Sequence, residues 1–247
     1  MKRKEFLRGL GLMGISSLAI PIINSCSKDD DSGSSTGSDS SSGSGSSSSD
    51  CSVTPSETAG PFPTITPSSL VKSNITMDRT GVAFTIKITI KNTNASCAAL
   101  KNAIVDIWHC DKDGYYSEYG GTSMQSVNYT SVHFLRGRQT TDENGLVTFT
   151  SIFPGWYSGR ATHIHVHIYN ASGTSLLVTQ IAFPEGSNSA VALVNASTAN
   201  GYTKGLTGYT YNASDNVFSD SAAKEMSTIT GSVSEGFVLT HTINVAG

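Results

Sequence analysis

The sequence has little excess charge and no long apolar run, and both absences exclude classes of protein. Its 247 residues carry 16 Lys and Arg against 19 Asp and Glu, with no basic block. Such a chain lacks the positive surface that binds phosphate backbones, so nucleic acid is not an expected partner. The longest apolar run, residues 10–23, is too short to cross a bilayer as a helix.

That apolar run follows a basic head and predicts a signal peptide over residues 1–25. The junction Ser25-Cys26 resembles the cleavage site of bacterial lipoproteins, which implies a lipid on Cys26 and a protein exported to the bacterial cell envelope and anchored there. An ordinary signal peptide with an unmodified Cys26 is the alternative. The head, residues 3–8, resembles a twin-arginine export signal, although simple positive charge explains it equally well.

Two regions follow the signal peptide. Residues 26–50 are almost entirely Ser, Gly and Asp, too polar to bury a core, and are predicted to form a disordered tether. Residues 51–247 are long enough for one domain with its own core.

Cysteine is scarce, and three cysteines fall within the predicted domain. A strand between Cys97 and Cys110 would hold them farther apart than a disulfide can reach. Cys51 therefore pairs with one of the other two, or no bridge forms.

Long helical periodicity is also lacking. Residues 83–91 alternate apolar and polar side chains, and similar short runs lie between turn signals up to residues 237–245. The sequence TTDENG is typical of a hairpin turn, and residues 190–199 and 221–226 are each compatible with a short helix. The pattern predicts an all-β fold, an antiparallel β-sandwich or barrel with short helices and long loops.

Against this background, residues 160–169 read RATHIHVHIY and hold three of the six histidines. Alternate side chains of a strand share a face, so His163, His165 and His167 would form a row. Two loops earlier in the chain offer tyrosines, HCDKDGYYSEY after the run AIVDIW and FPGWYSGR just before the histidines. Phenolate oxygen and imidazole nitrogen together suit ferric iron better than zinc, calcium or cuprous copper.

Five segments in order carry a family resemblance: PSETAGPF, VDIWHCDKDGYYS, FLRGRQTTDENG, FPGWYSGRATHIHVHI and LLVTQIAF. They resemble the intradiol ring-cleavage dioxygenases, the group of protocatechuate 3,4-dioxygenase and catechol 1,2-dioxygenase, and the short secreted members most. The resemblance covers residues 54–183 and implies a β-sandwich that holds non-haem Fe(III). It also implies an enzyme that takes a catechol-type substrate and O2 and cleaves the ring between the two hydroxylated carbons, giving a muconate-type diacid.

The resemblance assigns roles to individual residues. It implies four metal ligands, one from each tyrosine loop and two from the histidine strand: Tyr116, Tyr157, His163 and His165. Tyr115 is the neighbour that could replace Tyr116. Tyr157 is also the tyrosine expected to leave the metal when substrate binds.

Other residues are expected to face the substrate. Arg160, three residues before His163, would stabilise negative charge on the ring, and Gln180 would line the same pocket. Pro61 and Phe62 would pack beside the substrate, with Phe62 where relatives commonly have tyrosine.

An alternative function is a non-catalytic, surface-displayed β-sandwich that binds carbohydrate or serves adhesion. The Ser-, Thr-, Asn- and Gly-rich tail, residues 195–234, suits such a module. His167 is predicted to support the site or to be a buried, hydrogen-bonded histidine, and His109, His133 and His241 are predicted to be structural or surface residues.

Overall fold

The computed structural model describes residues 51–247. The signal peptide, the lipidated Cys26 and the tether were predicted for residues 1–50, so these predictions lie outside the described residues. Within residues 51–247, no helix has the length and apolar character needed to span a membrane.

Nine strands dominate the described part of the chain. In chain order they are β1 (Ala83–Asn92), β2 (Ala98–Ala99), β3 (Ile104–Trp108), β4 (Arg136–Thr140), β5 (Leu146–Ile152), β6 (His163–Tyr169), β7 (Ser175–Ala182), β8 (Thr228–Ser232) and β9 (Gly236–Val245). One α-helix, α1 (Ala190–Asn195), and short 3-10 turns accompany them, at Pro67–Ser69, Thr93–Ala95, Thr198–Asn200 and Asn212–Ser214.

The strands form two sheets packed face to face. One sheet has the order β2-β1-β9-β8, with β5 also paired to β1, and the other has the order β4-β3-β6-β7. The predicted β-sandwich is confirmed, and all pairs are antiparallel except β1 with β9, which run parallel.

The core lies between the sheets because the strands alternate as the sequence predicts. In β1, Phe84, Ile86 and Ile88 are buried while the residues between them are more exposed. The opposite sheet contributes Ile107 and Val166 among others to the same cluster. Burial of these apolar side chains is the main favourable contribution to folding.

Two local predictions need correction. Residues 221–226 form a turn and not a helix, because the chain around Met226 forms a bridge with the end of β7, where Ala182 N donates to Glu225 O and Ala182 O accepts from Ser227 N. TTDENG does form a turn around Asp142, but it is not a hairpin, since β4 and β5 belong to different sheets. The helix predicted at residues 190–199 is present as α1 and a 3-10 turn.

The first residues of the domain form a segment, residues 51–62, that crosses from one sheet to the other. Cys51 forms a disulfide with Cys97, which resolves the two alternative pairings and leaves Cys110 free and buried. From there the segment bonds to Asn244 at the end of β9 and to Val178 in β7. It ends against His165, where Gly60 meets the imidazole ring.

Candidate metal centre

The site is built on one cross-strand row of the four-stranded sheet. The register places Arg136, Trp108, His165 and Gln180 side by side on β4, β3, β6 and β7. Their neighbours along the strands, such as Ile107 and Val166, face the sandwich core. The row therefore lies on the opposite face of the sheet, where the loops cover it and a separate apolar cluster forms around Phe62, Trp108, Cys110 and Tyr116.

His165 in this row and His163 two residues before it are each held in place, His163 by a hydrogen bond and His165 by ring packing. His163 Nδ1 lies 2.6 Å from the Ala161 carbonyl, which can only accept, so Nδ1 carries the proton and Nε2 keeps a lone pair. His165 is stacked on Trp108 with ring centroids 4.9 Å apart. On its other side lies Gly60 at φ 69°, where a Cβ would come within 3.0 Å of the ring.

Tyr116 brings an oxygen to the same place. Its Oη lies 3.0 Å from His163 Nε2, and His165 Nε2 lies 3.1 Å from that same nitrogen. A single lone pair can accept only one hydrogen, so hydrogen bonding cannot satisfy both contacts. A cation that binds all three atoms would satisfy them, and the residues therefore fit a metal ion.

The donor set depends on tyrosine. Among residues 51–247, His, Cys, Asp and Glu side chains form no group of three or more that could hold a metal. A phenol oxygen is a hard donor and imidazole nitrogen a borderline one, a combination that suits ferric iron. The prediction of iron from the sequence rested on the same donor types.

Burial keeps the donors neutral in the absence of a metal. It lowers the pKa of His163 to about 3, and the charge of Arg160 adds to this effect. It also lowers the pKa of His165 well below its ordinary value, with His163 as the next cause. Burial raises the pKa of Tyr116 well above 10, so metal binding must displace the phenolic proton.

Tyr157 does not join these three atoms. Its hydroxyl donates to the Met124 carbonyl at 3.0 Å, and its ring packs edge-on against Phe62 and Tyr116. The loops of the two tyrosines are nevertheless in contact, because Gly114 packs so closely on Trp156 that a Cβ would lie 2.3 Å from the Trp156 carbonyl oxygen. The structure thus places Tyr157 beside the donor set with its hydroxyl directed elsewhere.

Arg160 is held by two buried partners. Its Nε donates to Asp215 Oδ2 at 2.8 Å and its Nη2 to Gln180 Oε1 at 2.7 Å. The same Asp215 oxygen accepts from Ala161 N at 2.7 Å. Burial alone would raise the pKa of Asp215, but Arg160 and backbone N–H groups hold it below its ordinary value. Gln180 is fully buried and also donates to Thr58 O, so its contacts orient Arg160.

Of the two residues predicted to pack beside substrate, Phe62 is buried and Pro61 is exposed. Phe62 stacks on Tyr116 with ring centroids 5.0 Å apart. It fills the space next to the tyrosine and closes the donor set from one side.

Three supporting residues escaped prediction: Gln125, Arg136 and Asp215. Arg136 is fully buried and donates to the carbonyl of Phe62 at 2.9 Å and to that of Ser117 at 2.6 Å, which ties both loops to the sheet. Gln125 hydrogen-bonds the backbone of Tyr116. The one signal in the sequence was for Arg136, which lies in the motif FLRGRQ of the family resemblance.

The remaining candidates lie outside the donor set. Tyr115 is directed toward Tyr129, with ring centroids 6.3 Å apart. His167 is bonded to Ser175 and Tyr169. His109 is buried and bonded to Ser151, and burial lowers its pKa to about 4.

A cleft of about 520 Å³ lies at Tyr157, whose ring packs against that of Tyr116. It is lined by Asp113, Gly114, Tyr115, Ser123, Met124, Gln125, Ser126, Tyr157, Ser158 and Lys204. Another hollow of about 500 Å³ lies on the outer face of the other sheet and contains none of the predicted site residues. The cleft at Tyr157 is therefore the candidate entrance for a ligand.

Comparison with known proteins gives a consistent result. Residues 65–225 match a protein-family model described as Dioxygenase. A chlorocatechol 1,2-dioxygenase from Rhodococcus opacus is 30% identical over 109 residues, which cover 36% of this chain and 40% of that enzyme. This chain thus matches less than half the length of that relative.

Solved structures extend the likeness over most of the domain. An intradiol ring-cleavage dioxygenase from Tetranychus urticae is 29% identical with a TM-score of 0.68, covering 79% of this chain and 95% of that one. The dioxygenase domain of a dioxygenase carbohydrate-binding protein fusion from Streptomyces sp. SirexAA-E is 23% identical with a TM-score of 0.54, covering 78% and 97%. The second likeness is one of fold.

Proposed function

The chain belongs to the intradiol ring-cleavage dioxygenase family, and from that premise we propose that it is a non-haem Fe(III) enzyme. It would use O2 to cleave catechol-type rings between the two hydroxylated carbons and release muconate-type diacids. The observation that carries the proposal is the convergence of Tyr116 Oη and His165 Nε2 on His163 Nε2, at 3.0 Å and 3.1 Å.

Tyr116, His163 and His165 would hold the metal, with Tyr157 as the fourth ligand. When bound, a ferric ion supplies a strong pull on the electrons of a catecholate, which makes the aromatic ring reactive toward O2. The neutral imidazoles support this role because burial keeps their lone pairs free of protons.

Tyr157 would serve as a proton acceptor for the substrate. A catechol hydroxyl must lose its proton to bind as an anion, and a tyrosinate that leaves the donor set can take that proton. The hydrogen bond from Tyr157 to the Met124 carbonyl supports this role, because it gives the protonated tyrosine a place beside the cleft.

Arg160 would stabilise negative charge on the substrate. Its guanidinium is held by Asp215 and Gln180, and it lies close enough to the donor set to affect the pKa of both site histidines. A fixed positive charge at this place would stabilise negative charge that develops on the ring during reaction with O2.

Spectroscopy of the purified domain, residues 51–247, tests the proposal directly. Iron is quantified, and the visible spectrum is recorded before and after catechol is added without O2. A tyrosinate-to-iron band that shifts with catechol, followed by O2 uptake on aeration, is the expected result. A colourless protein that takes up no Fe(III) would contradict it and would favour the non-catalytic binding module.

The observation that had suggested a binding module has another explanation. Within the tail, residues 195–234, Asp215 holds Arg160, and Tyr209 Oη accepts from Thr162 N at 2.9 Å. The tail thus supports the start of β6, as expected for an enzyme whose site depends on that strand.

We also propose that the protein is exported and anchored through a lipid on Cys26, on the basis of the lipoprotein-like junction. The Cys51–Cys97 disulfide supports export, since such bonds persist in oxidising compartments. Membrane fractions of cells should contain the wild type and lack the Cys26→Ala variant. A variant that still sediments with lipid would remove the anchor from Cys26.

A further inference from the structure

We propose that Gln125 is a positioning residue of the metal centre, one that sets the place of both tyrosines. Its side chain holds Tyr116, and the carbonyl of the preceding residue, Met124, holds Tyr157. The inference rests on the proposed function, because it takes Tyr116 and Tyr157 as iron ligands.

The contact with Tyr116 is a two-point clamp. Gln125 Oε1 accepts from Tyr116 N at 2.7 Å, and Gln125 Nε2 donates to Tyr116 O at 2.8 Å. The same nitrogen donates to Tyr119 O at 2.9 Å. Gln125 is 3% exposed, so water cannot readily replace these bonds.

Tyr116 lies in the loop after β3, outside the strands, so no neighbouring strand within residues 51–247 bonds its backbone. The side chain of Gln125 provides those hydrogen bonds instead. With both its backbone groups held, the register of the loop is fixed. Tyr116 therefore faces His163, and its neighbour Tyr115 faces Tyr129.

The turn that contains Gln125 also fixes the position of the Tyr157 hydroxyl. Met124 is joined to Gln125 by one peptide bond, so their backbones lie within about 4 Å of each other. Bonds from Thr122 N to Gln125 O and from Gln125 N to Thr122 Oγ1 stiffen this turn. When Gln125 is anchored to Tyr116, the Met124 carbonyl is anchored beside Tyr157 as well.

Fe(III) binding and the visible spectrum test the proposal. We expect Gln125→Ala to bind iron about 10- to 100-fold more weakly than the wild type. Its tyrosinate-to-iron band should weaken or move. Gln125→Asn should show the same defects, and because it keeps a polar amide in the buried site it provides a folded variant if the alanine variant unfolds.

Gln139→Ala is the matched control. Gln139 also donates to a backbone carbonyl, that of Thr148, away from the donor set. Its loss should lower the melting temperature and leave iron affinity and the band unchanged. If the Gln125 variants retain wild-type affinity and the wild-type band, Gln125 does not position the ligands. A wild type with no band would instead reject the proposed function itself.

A double-mutant cycle on iron affinity separates the two halves of the inference. If Gln125 also positions Tyr157, the loss caused by Tyr157→Phe should be smaller in the Gln125→Asn background than in the wild type. Strictly additive losses would overturn the link through Met124.

Discussion

At the scale of the residue, Arg160 shows how a flexible cation is made rigid. An arginine side chain loses considerable conformational freedom when it is fixed, and two buried partners on different elements provide that restraint here. Asp215 has the further task of capping its own turn, since its other oxygen accepts from Val217 N at 2.8 Å. The hydrogen bond from Val217 N thus fixes the carboxylate of Asp215, which in turn fixes Arg160.

Asp215→Asn should lower kcat for catechol by about 10- to 100-fold while iron content stays near that of the wild type, because a misplaced guanidinium no longer meets the developing charge. Steady-state O2 uptake and iron analysis check this. Asp142→Asn is the control, since Asp142 caps a surface turn in a similar way. An equal fall in both variants would show that Asp215 has no special link to catalysis.

Tyr157→Phe should bind iron more weakly but keep some of it, since three donors remain, and should slow turnover by roughly 100-fold through the loss of a proton acceptor. The hydroxyl that is removed donates to the Met124 carbonyl, so stability should change by less than about 1 kcal/mol. Rates, spectra and melting curves are compared with those of Tyr169→Phe, which loses a hydroxyl bonded to His167. An unchanged rate and spectrum would remove Tyr157 from the site.

The sequence indicated which residues share a face of a strand, but not which distant residues support them. The common face of His163 and His165 follows from strand alternation, which is a local property, and their role as ligands is what the family resemblance implies. Asp215 lies 55 residues from Arg160 along the chain, and Gln125 is a loop residue whose partner is backbone. No periodicity encodes such contacts, and they require the folded loops.

At the scale of the element, the order of the strands explains why the site forms where it does. The C-terminal ends of β3 and β7 and the N-terminal end of β6 lie together at one end of the sheet, because the three strands are antiparallel neighbours. The alternation within strands was predictable from sequence, whereas the assignment of β4 and β5 to different sheets was not. Turn residues such as TTDENG specify a reversal and do not specify which strands pair afterwards.

The segment between β7 and β8 carries a buried carboxyl that makes stability depend on pH. Glu225 is fully buried, with no hydrogen-bond partner for either oxygen within residues 51–247. Burial, with Glu57 and Asp220, raises its pKa to about 8. Between the ordinary pKa of 4.5 and about 8, the folded protein holds a proton that the unfolded chain has lost, so stability falls as pH rises.

The free energy of unfolding of the wild type should therefore fall by about 2–4 kcal/mol between pH 5 and pH 8, and Glu225→Gln should not show this fall. Urea unfolding at both pH values measures it, with Glu235→Gln as the control because Glu235 is exposed in the β8–β9 turn. Should wild type and Glu225→Gln show the same pH dependence, Glu225 does not titrate in this range.

At the scale of the whole molecule, a covalent bond ties the start of the domain to the loop between β1 and β2. Cys51 and Cys97 are 46 residues apart, so their disulfide restricts a large loop of the unfolded chain. The chain-entropy relation for such a loop gives about 4 kcal/mol. The sequence left two pairings open because the choice depends on which sheet edge residues 51–62 reach.

Cys97→Ser should lower the free energy of unfolding by about 3–4 kcal/mol. Cys51→Ser and the double variant should show the same loss, since all three lack the same bond, and denaturant unfolding compares them. Larger loss in the double variant than in either single variant would mean that the thiols contribute separately.

The position of this disulfide also has a mechanical consequence. Residues 51–62 run from the bridge to Gly60, which rests against the ring of His165. A force applied to the chain ahead of Cys51 would otherwise peel this segment away and open the wall of the metal centre. Because of the disulfide, such a force acts through Cys97 on the loop next to β1. The part of the segment between Cys51 and Gly60 carries no force, and its contact with His165 is kept.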